Sequence, residues 1–582
     1  MDLRRERRGA PRRRLAAPAL LALVVLGASA ARAQSDLSFE LPGVGRTTFS
    51  LTSTTTLRYR GENYDANRFD DDFGSLYQRF DVALQADELR AEARIDLFVP
   101  HTVLVESRCV GRPLGVDDPS CYLDWDLRPE RLTLRWEPSE WVVEAGDTQL
   151  VLGRGVALAF RKVDLLAVDN ALRGGHVRYQ GSNFRFGAHG GLANPQNIDP
   201  IDLRIVREPQ DVVVGGNMAV VAPAPLGVTL GVHALRVGFE DVDSIDGVTR
   251  SRFTDRAVDV AGWSAEAAGL ADGQLALYFE ANGLRRTQRL VDQARSETGR
   301  GVYASAQLQL TELTILVEWK DYTNFLVAPE TTEANARRIY SAAPPVEYDG
   351  PQRLRGIGNQ RGGAIRMDYA FLPGPWSFSV NSALYAFNEE PHRDPFEGVL
   401  VSHSWMTLAK RQEYGGDLNW SLDLQGGARF ETLLHDHDAR FRSGDIDRWM
   451  IHGRLDITVG SGDHAFDFIV DHRHEREIRG DVAEFQIGGA SVTYTFGIPF
   501  TLTLSLRWTD YQPGVVVSRG RREYNFLGGE FYPSLEVRWT FEPGTYLSLF
   551  AGQTPGGQLC SGGVCRDVPT FEGFQLTFVG RL

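Results

Sequence analysis

Long stretches of strict two-residue alternation recur along the chain, and they restrict its fold more than any other feature. Phe500, Leu502, Leu504, Leu506 and Trp508 fall on one face, with Thr501, Thr503, Ser505, Arg507 and Thr509 on the other. Leu535, Val537, Trp539 and Phe541 oppose Ser534, Glu536, Arg538 and Thr540. Leu89, Ala91, Ala93, Ile95, Leu97 and Val99 alternate with Arg90, Glu92, Arg94, Asp96 and Phe98, and Val302 to Leu310 follow the same rule. A period of two gives a β-strand one apolar and one polar face. The runs extend about 10–12 residues, whereas a typical soluble strand has about 5–6 and a tilted strand crossing a bilayer needs about 9–11.

The connections point the same way. Short turns such as Ala271-Asp272-Gly273, Thr311-Glu312, Pro373-Gly374-Pro375 and Glu542-Pro543-Gly544 take turns with longer polar stretches at 240–256, 285–300, 323–361, 388–410, 511–529 and 554–570. Short turns on one side and long loops on the other mark a transmembrane antiparallel up-and-down β-barrel. Counting on that rule gives about 24 strands, with 22–26 all fitting, and even parity places both termini in the periplasm. Phe371, Trp376, Trp539, Phe541 and Tyr546 flank short turns, while Trp319, Tyr322, Trp508 and Tyr511 sit where strands enter long loops. Both sets are expected at the headgroup girdles, where an amphipathic ring is stable. Phe574, Leu576, Phe578, Gly580 and Leu582 share one face to the last residue, which resembles the C-terminal assembly signal of such barrels.

A basic segment with Arg4, Arg5, Arg7, Arg8 and Arg12 to Arg14 precedes an apolar stretch and the small residues Ala31 and Ala33. This order of charge, apolar run and small residues reads as a cleaved signal peptide over 1–33. A short periplasmic segment, 34–47, would follow, then the barrel over 48–582 with its first strand at Thr48–Arg60. The segment is too short for an N-terminal plug domain. The formal net charge is −14; removing eight Arg, Asp2 and Glu6 takes away +6 and leaves −20. An acidic chain of this kind does not suit a nucleic-acid binder, which needs cations against phosphate.

The four cysteines form two close pairs, Cys109 with Cys121 and Cys560 with Cys565. Both lie in expected outer loops of an exported chain, so disulfides are favoured over metal. From Gly146 to Gly175 the strand rhythm breaks. Gly153-Arg154-Gly155 is followed by Asp164, Asp169, Arg173 and two further glycines. Residues 150–173 are read either as a lumen insert, with Arg154 and Arg173 pairing with Asp164, Asp169 or wall carboxylates, or as an ordinary hairpin with a structured outer loop. Candidate pore-lining charges are Arg90, Glu92, Arg94, Asp96, Arg131, Arg135, Arg454 and Asp456, with Asp467 and Asp471 beside them. Polar lumen residues are the default in a barrel, so they mark orientation better than substrate. His435-Asp436-His437-Asp438, His472-Arg473-His474 and Asp70-Asp71-Asp72 lack the ligand spacing of a metal site. No cofactor is implied, and no Gly-x-Ser-x-Gly elbow or His-Glu-x-x-His motif points to an enzyme.

Four short pieces carry a resemblance: Gly153-Arg154-Gly155 with Leu172-Arg173-Gly174; Glu318-x-Lys320-x-Tyr322-x-x-Phe325; Pro344-Pro345; and Cys560-x-Gly562-Gly563-x-Cys565-Arg566-x-x-Pro569 with Gly573. With these the chain resembles an uncharacterised family of large outer-membrane β-barrel proteins of Gram-negative bacteria. The resemblance implies the fold and an integral outer-membrane location without supplying a substrate. The expected function is a passive or gated channel for small polar solutes. The alternative is an outer-membrane scaffold or assembly partner for secreted or surface-attached proteins. Expected partners are outer-membrane lipid and lipopolysaccharide, the barrel-assembly machinery and, on the alternative reading, a surface protein.

Overall fold

The computed structural model describes residues 37–41, 45–61, 73–100, 125–163, 168–199, 204–205, 210–223, 227–240, 253–290, 293–328, 338–342, 344, 346, 358–388, 394–413, 418–434, 446–477, 483–509, 530–561, 564–568 and 570–581. Twenty-four of its strands form a closed antiparallel up-and-down barrel. The first wall strand is Gly45–Arg60, followed by Phe73–Ala86, Leu89–Pro100, Asp126–Trp136, Trp141–Thr148, Val168–Gln180 and Phe184–Pro195. Val212–Val221, Val228–Phe239, Phe253–Leu270, Leu275–Leu290, Gln293–Gln309 and Leu313–Thr323 continue it. Gln360–Ala370, Trp376–Phe387, Val399–Glu413, Leu418–Leu433, Ile446–Ser461 and His464–Glu477 come next, then Ala483–Phe496, Phe500–Thr509, Glu530–Glu542, Thr545–Thr554 and Phe571–Arg581.

Closure is made by Phe571–Arg581 against Gly45–Arg60, in register from Thr52↔Arg581 to Arg60↔Gly573. The same edge of the first strand continues below that point against a short strand, Leu37–Leu41, paired from Leu41↔Gly45 to Leu37↔Phe49. The seam is therefore paired along Gly45–Phe49 and Thr52–Arg60, which covers nearly all of the edge that lipid would otherwise desolvate.

Alternation decides which face meets what. In Val228–Phe239, Leu230 and Val232 are exposed whereas His233, Leu235, Val237 and Phe239 are buried. The exposed side chains of neighbouring strands, among them Val214, Met218, Val220, Trp263 and Leu277, belong to the outer face, which is apolar as a bilayer requires. Among the described residues no helix is long and apolar enough to cross a membrane.

Four expectations change. The second half of the polar stretch 388–410 is wall strand, paired from Phe387↔Val399 to Trp376↔Lys410. The polar stretch 285–300 is not a long loop: Leu275–Leu290 and Gln293–Gln309 run through it, paired up to Leu290↔Gln293. Charges on both faces read as loop, but a strand that rises beyond the lipid has water on both sides. Tyr322 is no girdle residue; it is buried inside the barrel with Phe325 and Tyr340. Tyr546 also faces inward, with the Arg538 guanidinium 4.8 Å above its ring. The expected signal peptide, Asp70 to Asp72, Cys109, Cys121, Asp164, Tyr511 and the cluster at His435 lie outside the described residues.

Candidate functional site: a packed insert above a charged vestibule

After Thr148 the chain leaves the wall, and Lys162–Val163 pairs with Val168 and Asp169 where the wall strand resumes. Leu150–Leu152 and Leu158–Phe160 pair as a small antiparallel hairpin, from Leu150↔Phe160 to Leu152↔Leu158. The wall resumes at Val168, so the departing segment is shorter than 150–173. Gly153 (φ 59°) and Gly155 (φ 84°) turn the chain in the left-handed region, which residues with a β-carbon enter only at a cost. Val156, Ala157, Leu158 and Phe160 are fully buried. They pack on inward side chains of the wall, including Leu172, Val213, Leu235, Val258, Leu284 and Tyr303. Burying a Leu or Phe side chain stabilises by about 1.5–3 kcal/mol, so the hairpin is held by its apolar face.

Its tip is held by a carboxylate. Glu280 on Leu275–Leu290 is fully buried and accepts the Arg154 backbone N–H at 2.9 Å, the Tyr278 hydroxyl at 2.7 Å and Asn282 Nδ2 at 2.9 Å. The Arg154 side chain extends past this point, half exposed, over the Tyr278 ring at 4.6 Å and 4.0 Å from Glu266.

A second segment clamps the hairpin. Ala159 N–H donates to Tyr340 O (2.7 Å) and Ala342 N–H to Gly155 O (2.9 Å). Phe160 stacks on Tyr340 at 5.1 Å. Beneath that stack, Asp211 accepts Arg338 Nε at 2.8 Å and the Tyr340 hydroxyl at 2.7 Å. Burial, and then the negative charge of Asp211, pushes the Tyr340 hydroxyl well above the ordinary tyrosine range. Farther round the wall, Val346 joins Tyr385, Phe387, Val401 and Leu433.

The base of the hairpin is tied by charge. Arg94 binds Asp96 (Nε–Oδ1 3.0 Å) and Asp169 (Nη1–Oδ2 2.7 Å), and Tyr77 donates its hydroxyl to Asp96. Arg131 donates to the Asp169 carbonyl at 2.7 Å. Arg173 pairs with a carboxylate of the wall. It donates to Asp147 at 3.1 Å, and Asp147 also accepts Asn194 Nδ2 and Leu132 N–H where two wall strands part.

The inner-face charges thus fall into two tiers. At mid-height around the hairpin and at the long-loop end, Arg94–Asp96, Lys320–Glu318, Arg429–Glu431 and Arg448–Glu475 are buried. From the short turns to mid-height, Arg90–Glu92, Arg135–Glu137, Arg366–Asp368, Arg454–Asp456 and Arg538–Glu536 are open to solvent. In the second tier each pair lies two residues apart on one strand or at its end, so acid and base share one face. Asp471 binds Arg507 at 2.7 Å, and Asp467 accepts from Thr458. His472 stacks on Trp508, and His474 binds Glu484. Among the described residues no cluster of three or more His, Cys, Asp or Glu could hold a metal ion.

Cys560 and Cys565 stand directly opposite each other in a hairpin formed by Gly557–Ser561 and Val564–Val568. Glu280, Asp147, Asp211, Arg338 and Tyr340 were not singled out by sequence. Glu280 had a signal, since it continues the inward series Tyr278, Glu280, Asn282; Asp211 and Arg338 are joined only by the closed fold.

No protein-family model matches the chain, and no curated protein does. Among solved structures, the P pilus usher PapC translocation pore aligns at 8% identity and TM-score 0.38, over 92% of this chain and 99% of that one. The copper transporter OprC aligns at 11% identity and TM-score 0.42, over 92% and 80%. OccK9 (OpdG) of Pseudomonas aeruginosa aligns at 12% identity and TM-score 0.35, over 71% and 97%. At these values the likenesses say nothing of what this chain does.

Proposed function

We propose that this chain is an integral outer-membrane channel for small polar solutes, narrowed at its outer end by the hairpin 150–160 and the residues 338–342 that clamp it. It would belong with the large outer-membrane barrels it resembles. The observation that carries the reading is the split between tiers. Polar inner-face residues around the hairpin and at the long-loop end are buried, while the pairs from the short turns to mid-height elsewhere on the wall line an open, water-accessible vestibule. A barrel of this width with side chains alone on its wall would leave a wide aqueous lumen, so two packed segments at one end set its effective bore. Paired acids and bases two residues apart nearly cancel, giving a polar wall with weak charge preference.

Planar-bilayer recording of the purified full chain tests the reading. The expected result is small conductance steps that grow several-fold in Leu158→Asp, which places a charge where the hairpin packs on the wall. Absence of steps from both proteins, with both folded, would sink the channel reading. Retrieval of one stoichiometric protein from intact membranes would then favour the scaffold.

A further inference from the structure

The outer face carries a feature that the channel does not use. On four consecutive strands, Ala234, Ala261, Gly283 and Arg300 lie side by side in register. Gly283 has no side chain, and a β-carbon there would meet nothing nearer than 3.9 Å. The small residues floor an open groove of about 730 Å³, rimmed by Arg236, Asp259, Arg285 and Thr298. Below it, towards the bilayer centre, the next outward row is Val232, Trp263, Ala281 and Val302, with Phe279 packed on Trp263 at 4.9 Å.

Height along the wall fixes what meets this groove. Arg285 lies ten residues beyond Leu275, which follows a short turn. At about 3.3 Å per residue and a tilt near 40°, that is about 25 Å, the height of the apolar band of such barrels. The guanidiniums therefore stand at the outer headgroup level, with apolar wall beneath. Asp259 holds Arg236 at 3.4 Å and Asp321 holds Arg300 at 3.0 Å, while Arg285 Nε reaches Ser296 Oγ at 3.3 Å. Three cations against two carboxylates leave an excess of positive charge on a chain whose formal net charge is −14. Arginine matches a phosphate geometrically as well as in charge.

The geometry points to a site for a phosphorylated glycolipid of the outer leaflet, lipopolysaccharide: a lipid A phosphate on Arg236 and Arg285, the sugar in the groove over Ala261 and Gly283, and acyl chains against Trp263 and Phe279. The site rests on the membrane placement above and is independent of conductance.

The test uses the folded, delipidated full chain in detergent, with deep-rough lipopolysaccharide added and native mass spectrometry as readout. Phosphatidylglycerol and phosphatidylethanolamine are the competing probes. One lipopolysaccharide per barrel is expected. Arg236→Ala with Arg285→Ala, and separately Gly283→Leu, which fills the groove without a backbone clash, should each weaken retention at least tenfold. Lys410→Ala should not, because Lys410 lies between Trp376 and Trp420 near the opposite, short-turn end. Equal retention by all variants, or equal binding of phosphatidylglycerol, overturns the site. Failure of the folded chain to enter vesicles of any composition overturns the membrane placement itself, and a silent channel bears on neither.

Discussion

Gly153 and Glu280 meet so closely that no side chain fits between them: a β-carbon on Gly153 would stand 2.3 Å from Glu280 Oε2, the oxygen that accepts the Arg154 N–H. Gly153→Ala therefore meets two obstacles, a left-handed φ costing about 1–2 kcal/mol and a displaced carboxylate. The hairpin tip is expected to detach while the barrel stays closed. Limited proteolysis should cut within 150–163 in the variant and not in the parent, and conductance should rise. An unchanged digestion pattern would show that the contact does not hold the hairpin.

Glu280 itself separates charge from packing. Glu280→Gln keeps an acceptor but brings an amide donor against three donors, so one contact is lost; Glu280→Ala leaves Tyr278, Asn282 and the Arg154 N–H without their shared partner. Each buried group left unsatisfied costs about 1–3 kcal/mol. The order of hairpin protection from protease should be parent, Gln, Ala. Equal protection in all three would show that the apolar face suffices.

The Arg338–Asp211 pair is buried on both sides. Removing one member leaves an uncompensated buried charge, typically about 3–5 kcal/mol. Arg338→Met should loosen the segment that carries Tyr340, and Arg338→Met with Asp211→Leu should recover much of the loss. Protease protection of 338–346, followed through a double-mutant cycle, reads this directly. Additive losses would mean that the two residues act independently.

The wall was largely legible because one bilayer imposes one rule on every strand: Leu230 and Val232 face lipid while Leu235 and Val237 face inward, and alternation reports that without any partner. The interior was less legible. Leu235 and Val258 are apolar on an inner face that the same rule expects to be polar, because they meet Leu158 and Phe160 of the hairpin rather than water. Arg94 and Asp96 read as pore-lining from parity alone, yet they are buried against Asp169, which lies more than seventy residues away in sequence. Parity assigns a face, but only closure of the chain decides whether that face is wet.

In the open tier, Arg454 lies 3.3 Å from Asp456, and Asp456 stands across the ladder from Asp423. Arg454→Ala would leave Asp456 facing the vestibule without the cation it pairs with, beside the Asp423 carboxylate. Cation preference should increase, seen as a shift of reversal potential in a salt gradient, and the shift should shrink as salt rises and the Debye length falls towards about 3 Å at 1 M. An unchanged reversal potential would mean that permeating ions do not pass this wall.

Cys560 and Cys565 are the remaining chemistry the sequence proposed, and their backbones stand in direct register across a two-stranded sheet that pairs with nothing else in the described residues. A disulfide there would close a short loop and constrain the unfolded chain by about 2 kcal/mol on the loop-entropy account. The stabilisation would be confined to the hairpin, because its strands are separate from the barrel ladder. Mass spectrometry after alkylation should find both thiols blocked until a reductant is added. Cys560→Ser should then make Cys565 reactive and leave the barrel's heat-dependent gel mobility unchanged. Alkylation of both cysteines without reductant would remove the bridge, and a large fall in barrel melting would show that the hairpin supports more of the wall than its pairing indicates.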